Sequence, residues 1–212
     1  MGGRVRSLLT GLAAAVVIVT LAITPFLTPQ WVAFEQDRSG APDSTGYTVE
    51  ELGAATGSIL VDLVLGPPDF DVQVRAEAVL DERERGHMRD VRTVFLGLWA
   101  LAALSVVVLL AASRRADRAA TWRSIRRGAL GLAVGVVALG AIALVAFDAL
   151  FDTFHEVLFP AGSYTFDPAT ERLVQLFPFQ FWQETAIVVG VVIIVLAMAT
   201  VRVAGRRASA GQ

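Results

Sequence analysis

Cysteine is absent from this 212-residue chain, and so is lysine. The first absence excludes a disulfide, a thiolate nucleophile and a cysteine-based metal site, and it means that the chain cannot itself be a lipid-modified lipoprotein. The second reads as a bias towards arginine codons rather than as chemistry. No Gly-x-Ser-x-Gly elbow occurs, and no Walker or dinucleotide-binding glycine pattern, so a serine-hydrolase elbow and a nucleotide cradle both lack their signatures. Tyrosine and histidine are each present only twice. Histidine is the one side chain whose unperturbed pKa, roughly 6.5, lets it take and return a proton near neutral pH, so His87 and His155 become the first candidates for chemistry.

What the chain has in quantity is apolar sequence. A mean hydropathy of +0.60 is too high for an ordinary soluble domain. The apolar residues gather into four blocks, Leu8–Leu27, Val94–Ala112, Gly128–Phe147 and Thr185–Val203, which are free of charged side chains except for Arg202. Each approaches the ~20 residues that cross a ~30 Å hydrocarbon core. The fold class expected is therefore an all-α integral membrane protein, a four-transmembrane-helix bundle forming one membrane domain. The helices are expected at about 8–27, 94–112, 128–147 and 185–203.

Charge fixes the expected orientation. Eleven of the 18 positive residues flank these blocks on one side: Arg4 and Arg6; Arg114, Arg115, Arg118, Arg123, Arg126 and Arg127; and Arg202, Arg206 and Arg207. By the positive-inside rule the segments 1–7, 113–127 and 204–212 are cytoplasmic. The connections 28–93 and 148–184, which hold 19 of the 20 acids, are then extracytoplasmic and form a small cap. Both histidines fall there. Because the basic residues hug the membrane, the net charge of -2 gives no support for nucleic-acid binding, and bilayer lipid is the expected neighbour. The first block is expected to be retained as a helix. Its apolar run is long for a signal peptide, Trp31–Phe34 offers no small-x-small cleavage site, and Pro25 and Pro29 end the run.

Within the cap, a polar stretch rich in Gly, Pro, Asp and Ser runs from Gln36 to Gly46. Thr48 and Glu51 then have capping-box spacing at the head of a helix with Leu52, Ile59, Leu60 and Leu63 on one face, stopped by Gly66-Pro67-Pro68. That amphipathic helix either lies on the membrane or packs on the bundle. Asp71–Leu80 alternates weakly and reads equally as a strand or an irregular lead-in. From Asp81 a charged run enters the second block without a proline, so the helix projects beyond the membrane. Glu82 and Arg85 form an i,i+3 pair on it.

On that run Glu84 and Asp90 lie three residues to either side of His87, where either can hold its ring. The third block continues similarly towards Pro160, which places Asp148, Asp152 and His155 on one helix face beside Phe151 and Phe159. A carboxylate next to a histidine orients its tautomer and raises its basicity, and aromatic neighbours restrict water. Asp90, Asp148 and Asp152 are thus the expected supports of the two histidines. No ligand spacing favours a metal, and no cofactor is implied. The alternatives from other classes are a non-catalytic assembly or pH-sensing membrane subunit and a metal-dependent membrane hydrolase.

Two stretches carry a resemblance. Glu82–Arg92, reading ERERGHMRDVR, and Phe151–Trp182, reading FDTFHEVLFPAGSYTFDPATERLVQLFPFQFW, resemble the lipoprotein intramolecular transacylase family of bacterial four-span membrane proteins. The likeness rests on His-Met-x-Asp-Val before the second span, Phe-His-x-x-x-Phe after the third, and Phe-Asp-Pro and Leu-Phe-Pro-x-x-Phe-Trp before the fourth. Tyr164 stands where the family is expected to carry tryptophan, and Phe179 where an acid is usual. The resemblance implies a membrane acyltransferase of lipoprotein maturation. It would move the sn-2 acyl chain of a diacylglyceryl-cysteine lipoprotein to the N-terminal α-amine and so give the lyso-form lipoprotein. The motif histidines correspond to His87 and His155, with Arg89, Arg92 and Tyr164 as possible oxyanion or substrate contacts. Donor and acceptor share one molecule, so neither a covalent enzyme intermediate nor a cofactor is required.

Overall fold

The computed structural model describes residues 2–114 and 117–210. Arg115 of the basic link therefore lies outside the described residues. Four helices are long and apolar enough to cross a membrane: α1 (Gly2–Ile23, with a 3-10 turn to Leu27), α5 (Glu82–Ser113), α6 (Arg118–Leu158) and α8 (Phe179–Ser209). Between them stand α2 (Pro29–Arg38), α3 (Ala41–Thr45), α4 (Val49–Val64), the hairpin strands β1 (Gln73–Val74) and β2 (Glu77–Ala78), and α7 (Arg172–Leu176). The fold is all-α apart from that hairpin. It divides into two compact units, one of Met1–Thr24, Gly97–Val145 and Ile187–Gln212, the other of Pro25–Leu96 and Ala146–Ala186. Ala146, at φ -147° and ψ 42°, breaks the helical backbone of α6 where the two meet in sequence.

The first unit inverts the packing of a soluble bundle. Its buried residues are small, Ala22, Ala129, Ala133 and Ala197 around Ile18 and Ile193, whereas Leu8, Leu12, Leu104 and Val134 are exposed. In lipid no hydrophobic gain comes from hiding leucine, so helices associate through close backbone packing and short polar contacts. The tightest contact is between α1 and α6. The backbone of Gly11 fills the space that a Cβ on Gly128 would need, and Ser7 and Ser124 exchange a hydrogen bond of 2.8 Å one turn away on both helices.

The second unit has a conventional apolar core. α4 opens with the expected capping box, Thr48 accepting from the Glu51 amide and Glu51 from the Thr48 amide. Its stripe of Leu52, Ile59, Leu60 and Leu63 packs with Phe70, Val72, Val79, Leu80, Leu173 and Leu176. The stripe thus completes the core of its own unit rather than facing lipid. Asp71–Leu80 contains two-residue strands paired antiparallel, joined through Arg75 and Ala76 at φ 55° and 64°. A two-residue hairpin connection needs this left-handed pair, which asparagine and glycine normally supply. Here Arg75 is held by Glu51 at 2.6 and 2.7 Å, which fixes the turn against α4.

The polar stretch Gln36–Gly46 belongs largely to α2 and α3. Pro29, which was expected only to end the first helix, starts α2: Thr28 caps it and proline at its first position costs no hydrogen bond. Gly40 and Gly46 bracket α3 at φ 78° and 67°. α2 is tied to the start of α8 by three polar contacts. The Trp31 indole donates to Thr185 at 3.2 Å, Arg38 pairs with Glu184 at 2.8 Å, and Glu35 shares a hydrogen bond with Glu184.

Glu35 is 1 % exposed and its Oε1 has no hydrogen-bond partner among the described residues. Burial, then the hydrogen bond and negative charge of Glu184, push its carboxyl up to about 7 against the opposing pull of Arg38. The folded chain therefore holds this proton to a higher pH than the unfolded chain does. Its contribution to stability is full below the unfolded value of 4.5 and is lost as pH rises through about 7. Glu35→Gln, neutral at every pH, is expected to remove a stability loss on the order of 2–3 kcal/mol over that interval. Thermal unfolding of both proteins from pH 5 to 8 checks this: the wild type should fall relative to the variant as pH rises, and parallel curves would show that Glu35 does not hold the proton.

Candidate active site

His87 lies in the second turn of α5, and the start of that helix is fixed by its own acids. The Asp81 carboxylate accepts from the Glu84 amide at 2.8 Å, and Glu84 accepts from the Asp81 amide at 2.7 Å, a reciprocal cap. The other Glu84 oxygen accepts from the Leu173 amide at 2.6 Å, so one buried carboxylate joins the head of α5 to α7. Burial raises the Glu84 carboxyl while these amide donors oppose the rise. Glu84 therefore serves the backbone and not the His87 ring.

The two imidazoles meet. Their ring centroids are 6.0 Å apart with an interplanar angle of 27°. Phe159 is shared between them, 4.8 Å from His87 and 5.4 Å from His155. Phe166 lies 5.5 Å from His87, while Phe151, Phe154 and Tyr164 surround His155 at 4.3, 5.2 and 5.3 Å. Nearly all of this aromatic shell comes from one short stretch, because Pro160 and Gly162 end the helix one turn after His155 and turn the chain back. Phe166 is held in turn by Arg83, whose guanidinium stacks 4.6 Å from its ring, donates to the Thr165 carbonyl and pairs with Glu171. The Asp167 carboxylate accepts from the Ala169 amide at 2.9 Å, which shapes the turn carrying Phe-Asp-Pro.

The two rings differ in environment. His87 is 7 % exposed, and its Nδ1 has no hydrogen-bond partner among the described residues. Burial, and secondarily the charge that His155 can carry, lower its pKa to about 4, so it is neutral at physiological pH. His155 is half-buried, with Nδ1 2.8 Å from the Phe151 carbonyl oxygen. A carbonyl only accepts, so Nδ1 carries a proton, and in the neutral ring the lone pair is then on Nε2. The pair thus supplies a desolvated neutral imidazole beside one whose tautomer is set for accepting a proton.

The expected carboxylate supports do not fill that role. Asp148 and Asp152 are exposed, Asp90 is half-exposed, and none of the three hydrogen-bonds to an imidazole. The reason is geometric: a histidine on a helix finds its own i-4 carbonyl within reach, and Phe151 occupies that position below His155. Asp152→Asn is accordingly expected to leave activity within about threefold of wild type at pH 7, since the orienting acceptor is untouched. Initial rates of product formation from pH 6 to 9 check this, and a selective loss near neutrality would restore Asp152 as the support.

The arginine candidates are also engaged elsewhere. Arg89 pairs with Glu82 at 2.8 Å, and Arg92 donates to the Asp62 carbonyl. Glu82 also keeps its weaker pairing with Arg85 at 3.9 Å. Tyr164, in contrast, does contact His155. Phe179 packs edge-on against Phe147 and Phe151 at 5.3 and 5.7 Å, so it extends the aromatic row beside His155 where an acid was the expected residue. Sequence reasoning missed Phe166 and Arg83 as parts of the shell, although Phe166 opens the Phe-Asp-Pro motif. Among the described residues no three His, Cys, Asp or Glu side chains gather as metal ligands.

A family model described as lipoprotein intramolecular transacylase Lit matches residues 8–182. No curated protein sequence matches the chain. Among solved structures, the membrane-integral lipoprotein intramolecular transacylase Lit of Bacillus cereus superposes with a TM-score of 0.77 at 17% identity, covering 97% of this chain and 95% of that one. A form of the Bacillus protein with one histidine replaced by arginine gives 0.77 at 17% identity, covering 97% of this chain and 91% of that one. A form with alanine at that histidine gives 0.70 at 18% identity, over 96% and 92%. Together the four apolar helices and these matches define the class, a membrane-integral acyltransferase. The chain belongs to the lipoprotein intramolecular transacylase (Lit) family.

Proposed function

We propose that this protein moves the sn-2 acyl chain of a diacylglyceryl-cysteine lipoprotein to the α-amine of the same cysteine, using His155 and His87 as its proton-handling groups. The observation that carries this reading is the imidazole pair, 6.0 Å apart in an aromatic shell, with the Nδ1 proton of His155 committed to the Phe151 carbonyl.

The α-amine has a pKa of about 7.7–8 and is mostly protonated at neutral pH, so a base must free it before it can attack. Nε2 of His155 takes that proton. The amine nitrogen then bonds to the ester carbonyl carbon, the bond from that carbon to the sn-2 glycerol oxygen breaks, and the departing oxygen receives a proton from the imidazolium; the nitrogen, still carrying one proton more than an amide holds, gives it to the freed imidazole, which releases it to solvent. The sum is one amide formed and one ester lost, with no water consumed. His87, neutral and desolvated, lies where it can accept a hydrogen bond from the amine. The aromatic shell limits water, which would otherwise hydrolyse the ester. Because amine and ester belong to one molecule, holding them in contact supplies much of the acceleration.

The arginine bias supports placing both termini in the cytoplasm of a bacterial cell and the histidine pair at the extracytoplasmic face. There it would meet lipoproteins whose N-terminal cysteine is free and whose acyl chains lie in the outer leaflet. Mass spectrometry of a reporter lipoprotein's N-terminus tests the reading. Cells carrying this protein should yield an N-acyl, monoacylglyceryl cysteine, and cells lacking it the diacylglyceryl form with a free amine. An unchanged diacylglyceryl reporter in both would remove the assignment.

A further inference from the structure

A groove of about 620 Å³ lies within the first unit, away from every residue of the histidine shell. Its walls are two stripes with helical spacing. Val106, Leu109, Leu110 and Ser113 line it from α5, and Arg118, Thr121, Trp122 and Ile125 from α6. Arg207 of α8 completes it. Because α5 and α6 are joined by the short link at residues 114–117, Ser113 and Arg118 share one end, while Val106 and Ile125 lie seven residues deeper on their helices. That is about 10 Å along each axis at the helical rise. The groove is therefore polar and cationic at the link and apolar away from it.

Among the described residues neither Arg118 nor Arg207 has an ion-pair partner, and no acid lines the groove. The neighbouring acid, Asp117, pairs with Arg123 at 3.9 Å. Two unpaired guanidiniums above an apolar trough complement one chemistry in particular, a phosphodiester carrying acyl chains. Trp122 on the wall is of the residue type that suits the boundary between headgroup and hydrocarbon. A water-soluble anion would satisfy the arginines but leave the trough of Val106, Leu109, Leu110 and Ile125 unused.

We propose that this groove is a binding site for an anionic phospholipid, whose phosphate is held by Arg118 and Arg207 and one of whose acyl chains lies along α5 and α6. The site is separate from the acyl-transfer reading and does not depend on it.

The test uses the full-length protein in detergent, titrated with phosphatidylglycerol, phosphatidylcholine or glycerol phosphate and read by native mass spectrometry. The expected result is phosphatidylglycerol binding about tenfold or more tighter than phosphatidylcholine, with glycerol phosphate weaker than either. Arg118→Gln with Arg207→Gln should abolish the preference, and Arg4→Gln with Arg6→Gln, which removes the same charge elsewhere, should preserve it. A second measurement needs no arginine variant. In nanodiscs, phosphatidylglycerol brominated on its acyl chain should quench tryptophan emission more than brominated phosphatidylcholine at equal mole fraction, and Trp122→Phe should lose the excess. Equal affinity for the two lipids, equal loss in both arginine pairs, glycerol phosphate binding as tightly as the lipid, or excess quenching that survives Trp122→Phe would each overturn the proposal.

Discussion

His155→Ala is expected to lower the rate of N-acylation by about 10²–10⁴-fold while the protein still inserts and accumulates. The ring is half-buried and its one hydrogen bond runs to a carbonyl of its own helix, so removing it takes away the base without unlocking a buried network. His87 is different, because it is buried against Phe159 and Phe166 and its loss leaves a cavity. His87→Ala is expected to show the same fall in rate together with a modest drop in thermal stability. His87→Phe, which refills the volume without a proton carrier, should recover the stability but not the rate. Near-normal product from either alanine variant, measured at equal protein level, would take that histidine out of the mechanism.

Gly128→Leu is expected to be the most damaging substitution to folding. A Cβ at Gly128 falls inside van der Waals contact with the Gly11 backbone, and backbone cannot move aside as a flexible side chain does. Overpacking a tolerant core typically costs about 1–3 kcal/mol, and a clash against backbone exceeds that range. The crossing of α1 over α6 would have to open, with loss of the 2.8 Å Ser7–Ser124 contact and of the alanine packing beside it. Little folded protein should be recovered from membranes. Gly131→Leu, one turn on where a Cβ meets nothing within 4 Å, is the control and should accumulate normally. Equal recovery of the two variants, measured by size-exclusion chromatography in detergent, would contradict the packing account.

These outcomes follow from parts of the molecule that were unequally legible in its sequence. The four apolar helices were plain because bilayer thickness fixes both length and composition, and the start of α4 was plain because Thr48 and Glu51 satisfy each other's amides locally. His87 and His155 could be nominated from rarity, placement and motif. Their supports could not be, because i±3 and i±4 spacing serves a cap, an ion pair and a ring contact equally well. Glu84 took the cap, Arg89 took Glu82, and the Phe151 carbonyl, which carries no side-chain signature, took His155. The Arg75–Ala76 turn was hidden because neither residue announces a left-handed backbone. The Glu35–Glu184 pair was hidden for a different reason: its partners lie far apart in sequence and meet only when α2 docks on α8. The glycines of the α1–α6 crossing were visible as glycines, yet nothing local says which of them faces another helix.

In the proposed reaction acyl donor and amine acceptor belong to one lipoprotein molecule and react at the histidine pair. A crossover experiment with purified protein tests it most directly. One diacylglyceryl lipopeptide is isotopically labelled in both its sn-2 acyl chain and its peptide, mixed with an equal amount of unlabelled lipopeptide, and the products are read by mass spectrometry. Lyso-form products are expected to be either doubly labelled or unlabelled, with both absent when His155→Ala protein is used. Singly labelled N-acyl products at a statistical share, or product formation undiminished by His155→Ala, would contradict the proposed reaction.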